Sequence, residues 1–278
     1  MNDRLASLRR WAWRVYNAVD YPLRQWFRLR RPGLRLRTRA EADRFTHLAA
    51  EEKVRAEAIH QRLRSAYHLE EFEHNSSPVN YRENLFYLDL LEKALDRSGA
   101  VLPQQVVAGD IGPSHWFYVQ VLAALLRWWR RPQGRTVALT GYEVDAYRVY
   151  GDLHSRYDYA LAHMRGLAGV EYLPRGFWPQ PGRFHLLTML FPFVFERDHL
   201  AWGLPGKLFR PGELVAAAWA SLQPGGVLIV VNQGFEEHRA QGEILAAQGI
   251  QAGVEFCQEP LLYAYPLDRF VWVACRGS

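Results

Sequence analysis

The sequence predicts an α/β fold: a doubly wound, mostly parallel, seven-stranded sheet preceded by a helical extension. Three observations carry this. From Gln105 onward, short apolar runs alternate with helical stretches of ten or more residues, the rhythm of βαβ units. The run Val227–Val231 is unbroken, and Val106-Val107-Ala108 is a short buried-strand pattern, as in strands covered on both faces. No apolar run reaches the ~18 residues of a membrane span, and the longest, Leu186–Phe195, contains Pro192.

The elements follow in order. Leu5, Leu8, Ala12, Val15 and Val19 recur at helical spacing and form one stripe, bordered by Trp11, with Arg10 and Arg14 facing away. Pro22 and Pro32-Gly33 predict that this helix is short and gives way to basic irregular chain. A second helix is expected over Glu41–Glu73 and a third over Tyr81–Arg97, separated by His74-Asn75-Ser76-Ser77-Pro78. Strands are then expected at Gln105–Ala108, Thr136–Leu139, Val170–Leu173, Phe184–Leu190, Val227–Val231, Gly253–Phe256 and Phe270–Ala274. Helices are expected at Trp116–Trp129, Leu153–Gly166, Glu213–Ser221 and Glu237–Ala247. The chain thus divides into a basic amphipathic segment (1–40), a helical cap (41–100) and an α/β domain (101–278), with helical residues before Pro103 expected over the carboxyl edge of the sheet.

Apolar residues make up 49% of the 278 and charged residues 23%, a balance that provides a sizeable core and excludes disorder. With only Cys257 and Cys275, a disulfide scaffold and a cysteine zinc site are excluded, and a reducing compartment, the cytoplasm, fits. No metal is expected. The N-terminus has no uninterrupted apolar core of a secretory signal, although its basic character also resembles a transit peptide. Charge is uneven. Residues 1–40 hold eleven arginines against Asp3 and Asp20, a local +9 in a chain of net +5, which leaves the other 238 residues at −4. Arginine outnumbers lysine 31 to 3, a bacterial-like codon bias. An acidic body without a basic groove disfavours a nucleic-acid partner.

In an open parallel sheet, ligands bind beyond the carboxyl ends of the strands near the switch point. This places the site at Asp110-Ile111-Gly112-Pro113-Ser114, where Gly112 permits close backbone approach and the next helix offers unpaired N–H groups. The same residues read equally well as a helix cap and a turn. The second strand ends in Thr140-Gly141-Tyr142-Glu143, so a second carboxylate stands at the neighbouring tip, where its two acceptor oxygens suit the hydroxyls of a ribose. Alone, Glu143 reads as a solvated loop residue; two acids at adjacent tips point to a nucleoside. A third feature is Leu222-Gln223-Pro224-Gly225-Gly226-Val227-Leu228, a helix end, a turn and an apolar strand.

This last pattern, preceded by the Asp110 loop and Glu143 in the correct order, resembles the class I S-adenosylmethionine-dependent methyltransferases over Val101–Cys275. The resemblance implies S-adenosylmethionine as cofactor and S-adenosylhomocysteine as product. Asp110, Gly112, Pro113 and Ser114 would form the cofactor loop, Glu143 would take the ribose, and Leu190, within Thr188–Phe191, would line the reactive end. The family loop reads acid-x-Gly-x-Gly-x-Gly; here Ser114 and Trp116 replace the later glycines, so this edge of the pocket is expected to be rearranged or partly filled. The acid often found after the third strand is absent at Pro174-Arg175-Gly176. Because the sulfonium is already activated, positioning supplies most of the acceleration, and a base serves only some acceptors. His115 beside the loop is the first candidate base, ahead of His185 and Glu196, although a histidine at a helix start is commonly structural. A small-molecule acceptor is expected, with Tyr81, Asn84 and Phe191 lining its pocket; Tyr81-Arg82-Glu83-Asn84 also reads simply as a helix start.

Two alternatives stand beside the enzyme. One is a binding protein that keeps the fold without catalysis. The arginine- and tryptophan-rich N-terminus also suits attachment to a membrane surface or an acidic protein, while packing of that segment on the acidic body fits equally.

Overall fold

The computed structural model describes residues 2–36 and 45–277, with side chains described from Ser7 onward except that of Pro78. The boundary placed at residue 40 and the helix start expected at Glu41 lie outside the described residues. Seven strands form one sheet: β1 Gln105–Ile111, β2 Thr136–Tyr142, β3 Val170–Leu173, β4 Phe184–Leu190, β5 Leu222–Gln233, β6 Val254–Gln258 and β7 Arg269–Cys275. Their order is β3-β2-β1-β4-β5-β7-β6. The first five run parallel, and β7 inserts antiparallel between β5 and β6.

The unbroken strands are explained by their two covered faces. Along β5, Val227, Ile229 and Val231 belong to one buried cluster, with α4 (Pro78–Ser98) and α5 (Val119–Trp128). Leu228 and Val230 belong to the other, with residues of α8 (Pro211–Ser221) and α9 (Gly234–Ala247). A smaller helix, α6 (Arg156–His163), packs near β3.

Several local expectations are corrected. The stretch read as one helix to Glu73 is two, α2 (Ala50–Tyr67) and α3 (Glu70–Asn75), because His68 takes a left-handed φ of 53° and ends the first. The Pro224-Gly225-Gly226 turn lies inside β5 as a bulge: between the pairs Phe184–Leu222 and Leu186–Val227, β4 advances two residues while β5 advances five. A short helix, α7 (Glu196–Ala201), was not expected. The body of α4 lies against α5, β6 and β7 rather than over the carboxyl edge. Leu85, Phe86, Leu88, Leu90 and Leu91 are all buried, and only a place between helices and sheet covers a helix all round.

Of the helical residues before Pro103, α1 (Asn2–Phe27) is the one that covers the carboxyl edge, and it runs through Pro22 instead of ending there. Contacts on both sides of the proline hold it. Tyr21 and Gln25 donate to the Val144 carbonyl (3.0 and 3.1 Å), Arg24 to Asp145 Oδ1 (3.0 Å) and the Gly203 carbonyl (3.0 Å). The buried Asn17 amide donates to the carbonyls of Leu200 (2.8 Å) and Leu204 (3.0 Å), and Arg14 pairs with Glu196 (2.7 Å). Of the alternatives for the basic segment, packing on the acidic body is therefore realised. Asn17→Ala removes the side-chain donor to two buried carbonyls, of which Leu200 keeps the Gly203 N–H (2.9 Å). It should cost about 1–2 kcal/mol and expose α1 to trypsin, checked by urea unfolding and limited proteolysis.

Candidate functional site

β1 and β2 stay paired to their last residues, Ile111 with Tyr142, and the Gly112 N–H continues the ladder to the Tyr142 carbonyl (2.9 Å). The tips therefore do not splay. Asp110, 0% exposed, has both oxygens engaged from within. The Trp116 indole N–H donates to Oδ2 (2.7 Å) and the Thr188 hydroxyl to Oδ1 (2.7 Å), with the Tyr118 hydroxyl beside them. Burial pushes the Asp110 carboxyl up to about 6, against the pull of these donors.

The loop that follows has the backbone of a glycine loop without its later two glycines. Gly112, Ser114 and Trp116 have φ of 73°, 56° and 54°. For residues with a Cβ this region costs roughly 1–2 kcal/mol each. The route turns the Trp116 ring inward, fully buried, over Gly141, where a Cβ would meet the ring at 2.9 Å. The expectation of a partly filled edge is met by the side chain that suggested it.

Glu143 is at the tip of β2 but is not solvated. Its Oε2 accepts from the Ser114 N–H (2.8 Å) and its Oε1 from the Asp145 N–H (2.7 Å). Burial raises its pKa, and the Arg156 guanidinium, 3.9 Å away, opposes the rise. Asp145, itself buried, collects Arg24 (3.0 Å), Arg148 (3.1 Å) and Arg156 (3.4 Å). The Tyr172 hydroxyl donates to the Ser114 carbonyl (2.5 Å). A ribose on Glu143 would have to share that carboxylate with the Ser114 and Asp145 N–H groups, which already take a lone pair on each oxygen. In this arrangement the residues do not fit a nucleoside cofactor.

The other predicted residues scatter. Pro113 and Leu190 are buried beside Asp110, on the loop and at the tip of β4. His115 bonds through Nδ1 with the Tyr150 hydroxyl (3.2 Å) and stacks on Phe117, and burial lowers its pKa to about 4. His185 sits near the start of β4, the wrong end for a base, and its Nδ1 accepts the Val107 N–H (3.0 Å). Glu196 is taken by Arg14. Tyr81 packs between His60 and Phe72 inside the helical layer, and Asn84 donates to the Asn80 carbonyl (2.9 Å). Phe191 has a left-handed φ of 60° and lies under the Arg269 guanidinium (4.8 Å).

Phe191 belongs to a cluster that sequence reasoning missed. The Tyr265 hydroxyl donates to Glu83 (2.6 Å), and Arg269 stacks on Tyr265 (3.7 Å) beside Tyr87. Burial raises the Glu83 pKa, against Tyr265 and Arg269. A cavity of about 1050 Å³ opens along α5 between α2–α3 and α6, and Glu83 stands on its wall. His115, Phe117, Phe72, Trp128 and His163 line it; Asp110, Gly112 and Glu143 do not. Among the described residues no group of His, Cys, Asp and Glu is placed to hold a metal.

The strand order, with β1 central and β7 antiparallel, is that of the class I methyltransferase fold, and this chain has that fold. No family model matches the sequence, and no curated protein matches it. Among solved structures, the chain is similar to a SAM-dependent methyltransferase from Aquifex aeolicus, at 14% identity over 66% of this chain and 88% of that one, TM-score 0.47. Geranyl diphosphate C-methyltransferase from Streptomyces coelicolor, solved with S-adenosylhomocysteine, is 11% identical over 68% and 75%, TM-score 0.45. The cyclase SpnF is 15% identical over 68% and 80%, TM-score 0.45. These likenesses are distant, and the fold assignment rests on the sheet itself.

Two predictions follow from this packing. If Trp116 fills the space over Gly141, Gly141→Ala should cost ~1–3 kcal/mol in the native chain and far less in a Trp116→Gly background, a coupling read from a double-mutant cycle. Acid should also destabilise the fold. Burial lowers His163 to about 3 and His115 to about 4. Both lie below the unfolded value, so their contribution is present above pH ~6.5 and is lost as pH falls below it. Asp110, raised to about 6, works oppositely and offsets only part. Urea unfolding should give a stability ~2–3 kcal/mol lower at pH 5 than at pH 7.5, with His163→Leu flattening the dependence.

Proposed function

We propose that this chain uses the methyltransferase fold as a binding scaffold, with its cofactor cradle closed by its own Trp116 and its carboxyl edge given over to α1. One observation carries this reading. The Trp116 indole is bonded to Asp110 and packed over Gly141, in the place where the fold admits the nucleoside. Glu143, spent on two backbone N–H groups of the chain, agrees with it.

A second reading is S-adenosylmethionine-dependent methyl transfer to a small-molecule acceptor once Trp116 is displaced. Its support is the retained left-handed path at residues 112, 114 and 116, with both acids at their tips. Calorimetric titration of S-adenosylhomocysteine separates the two. On the scaffold reading, native protein gives no binding heat up to about 1 mM ligand, the ~4 kcal/mol level. Binding by Trp116→Gly alone identifies the indole as the closure. Micromolar binding by the native chain overturns the scaffold reading and supports the enzyme.

A further inference from the structure

We propose that the outward face of α1 is a docking surface for an anionic lipid bilayer. A helix packed on a protein body ordinarily buries its apolar stripe and shows water its polar one. Here the order is reversed. The face toward the body is polar, built from Asn17, Tyr21, Arg24 and Gln25, each hydrogen-bonded to it. The opposite face carries Leu8, Trp11, Val15, Val19, Leu23 and Trp26, recurring every three or four residues and all exposed. Trp11 is 65% exposed and Trp26 76%. This stripe is about 27 Å long at the helical rise, and an apolar patch of that extent marks a contact with something else. The next residues keep the character, with Phe27 and Leu29 exposed between Arg28, Arg30 and Arg31.

Charge selects the occupant. Residues 1–40 carry +9 against −4 for the rest of the chain. A second copy offers its acidic seat already filled by its own α1. An anionic bilayer supplies both missing halves: acyl chains for the stripe, headgroup charge for the flanking Arg9, Arg10 and Arg28, and an interface that favours tryptophan. Among the described residues no helix is long and apolar enough to cross a membrane, so α1 lies in the interface. This inference is independent of the closed cradle, because its readout involves no cofactor.

The test is flotation of the full chain with phosphatidylcholine vesicles, alone or with about a third phosphatidylserine. The variant Val15→Glu/Val19→Glu changes only the outward face. The native chain should float with the anionic vesicles and be released by salt, and the variant should bind ~100-fold more weakly with an unchanged thermal melt. Trp26→Ser, at the far end of the stripe, should weaken binding in the same way. A native chain that floats with neither vesicle overturns the proposal, as does a double variant that floats like the native chain. A lipid-free dimer abolished by the double variant also overturns it, making the second copy the occupant.

Discussion

The carboxylate of Asp110 constrains everything near the strand tips. A fully buried carboxylate without donors costs far more than a domain can offset, so this one requires partners at fixed places. Trp116 and Tyr118, on the approach to α5, and Thr188 in β4 provide them. The Trp116 bond exists only if the loop takes its left-handed path, and that path sets the Ser114 N–H against Glu143. One buried acid thereby captures the second, and the loop after β1 is tied to the residue that follows β2.

Glu143 and Asp145 then extend the same logic outward. Two buried acids two residues apart repel unless cations reach them, and three arginines from separate elements do: Arg24 of α1, Arg148 of the loop, Arg156 of α6. Breaking such a cluster from one side leaves an uncompensated buried charge, the costly case for an internal ion pair. Arg24 is thus part of the sheet edge as much as of α1. A helix held by a polar seat must present its other face to solvent, and in this sequence the other face is the apolar one.

Much of this was legible in the sequence, and the remainder was not for physical reasons. The parallel sheet declared itself through short apolar-rich segments alternating with helices, of which Val227–Val231 is an unbroken aliphatic run, and all seven strands lie where those segments predict. Asp110, Glu143 and the glycine substitution at Trp116 were visible as well, since spacing from strand ends fixes their place. What periodicity misses is tertiary compensation. Pro22 argues for a helix end, but contacts at Tyr21 and Arg24 override it. The partners of Asp145 come from residues 24, 148 and 156, and those of Arg269 from α4 and the segment after β4; no local pattern links them. Nor does the sequence say which face of α1 meets the body, because the stripe alone suggests the ordinary orientation.

The magnitudes show what the closed cradle demands of any ligand. Two residues with a Cβ in left-handed conformations cost roughly 1–2 kcal/mol each. Against this, burying an indole of ~200 Å² is worth about 5 kcal/mol, and its hydrogen bond to a carboxylate adds ~1.5–3 kcal/mol. The exchange favours the closed loop by a few kcal/mol, so strained geometry persists without a ligand to impose it. A nucleoside entering here would forfeit the indole burial and the Asp110 bond before making contacts of its own. A net penalty of ~3 kcal/mol lowers affinity by about two orders of magnitude. A glycine loop faces no such deficit, so on the scaffold reading the tryptophan at the third glycine position is the group that a nucleoside must displace.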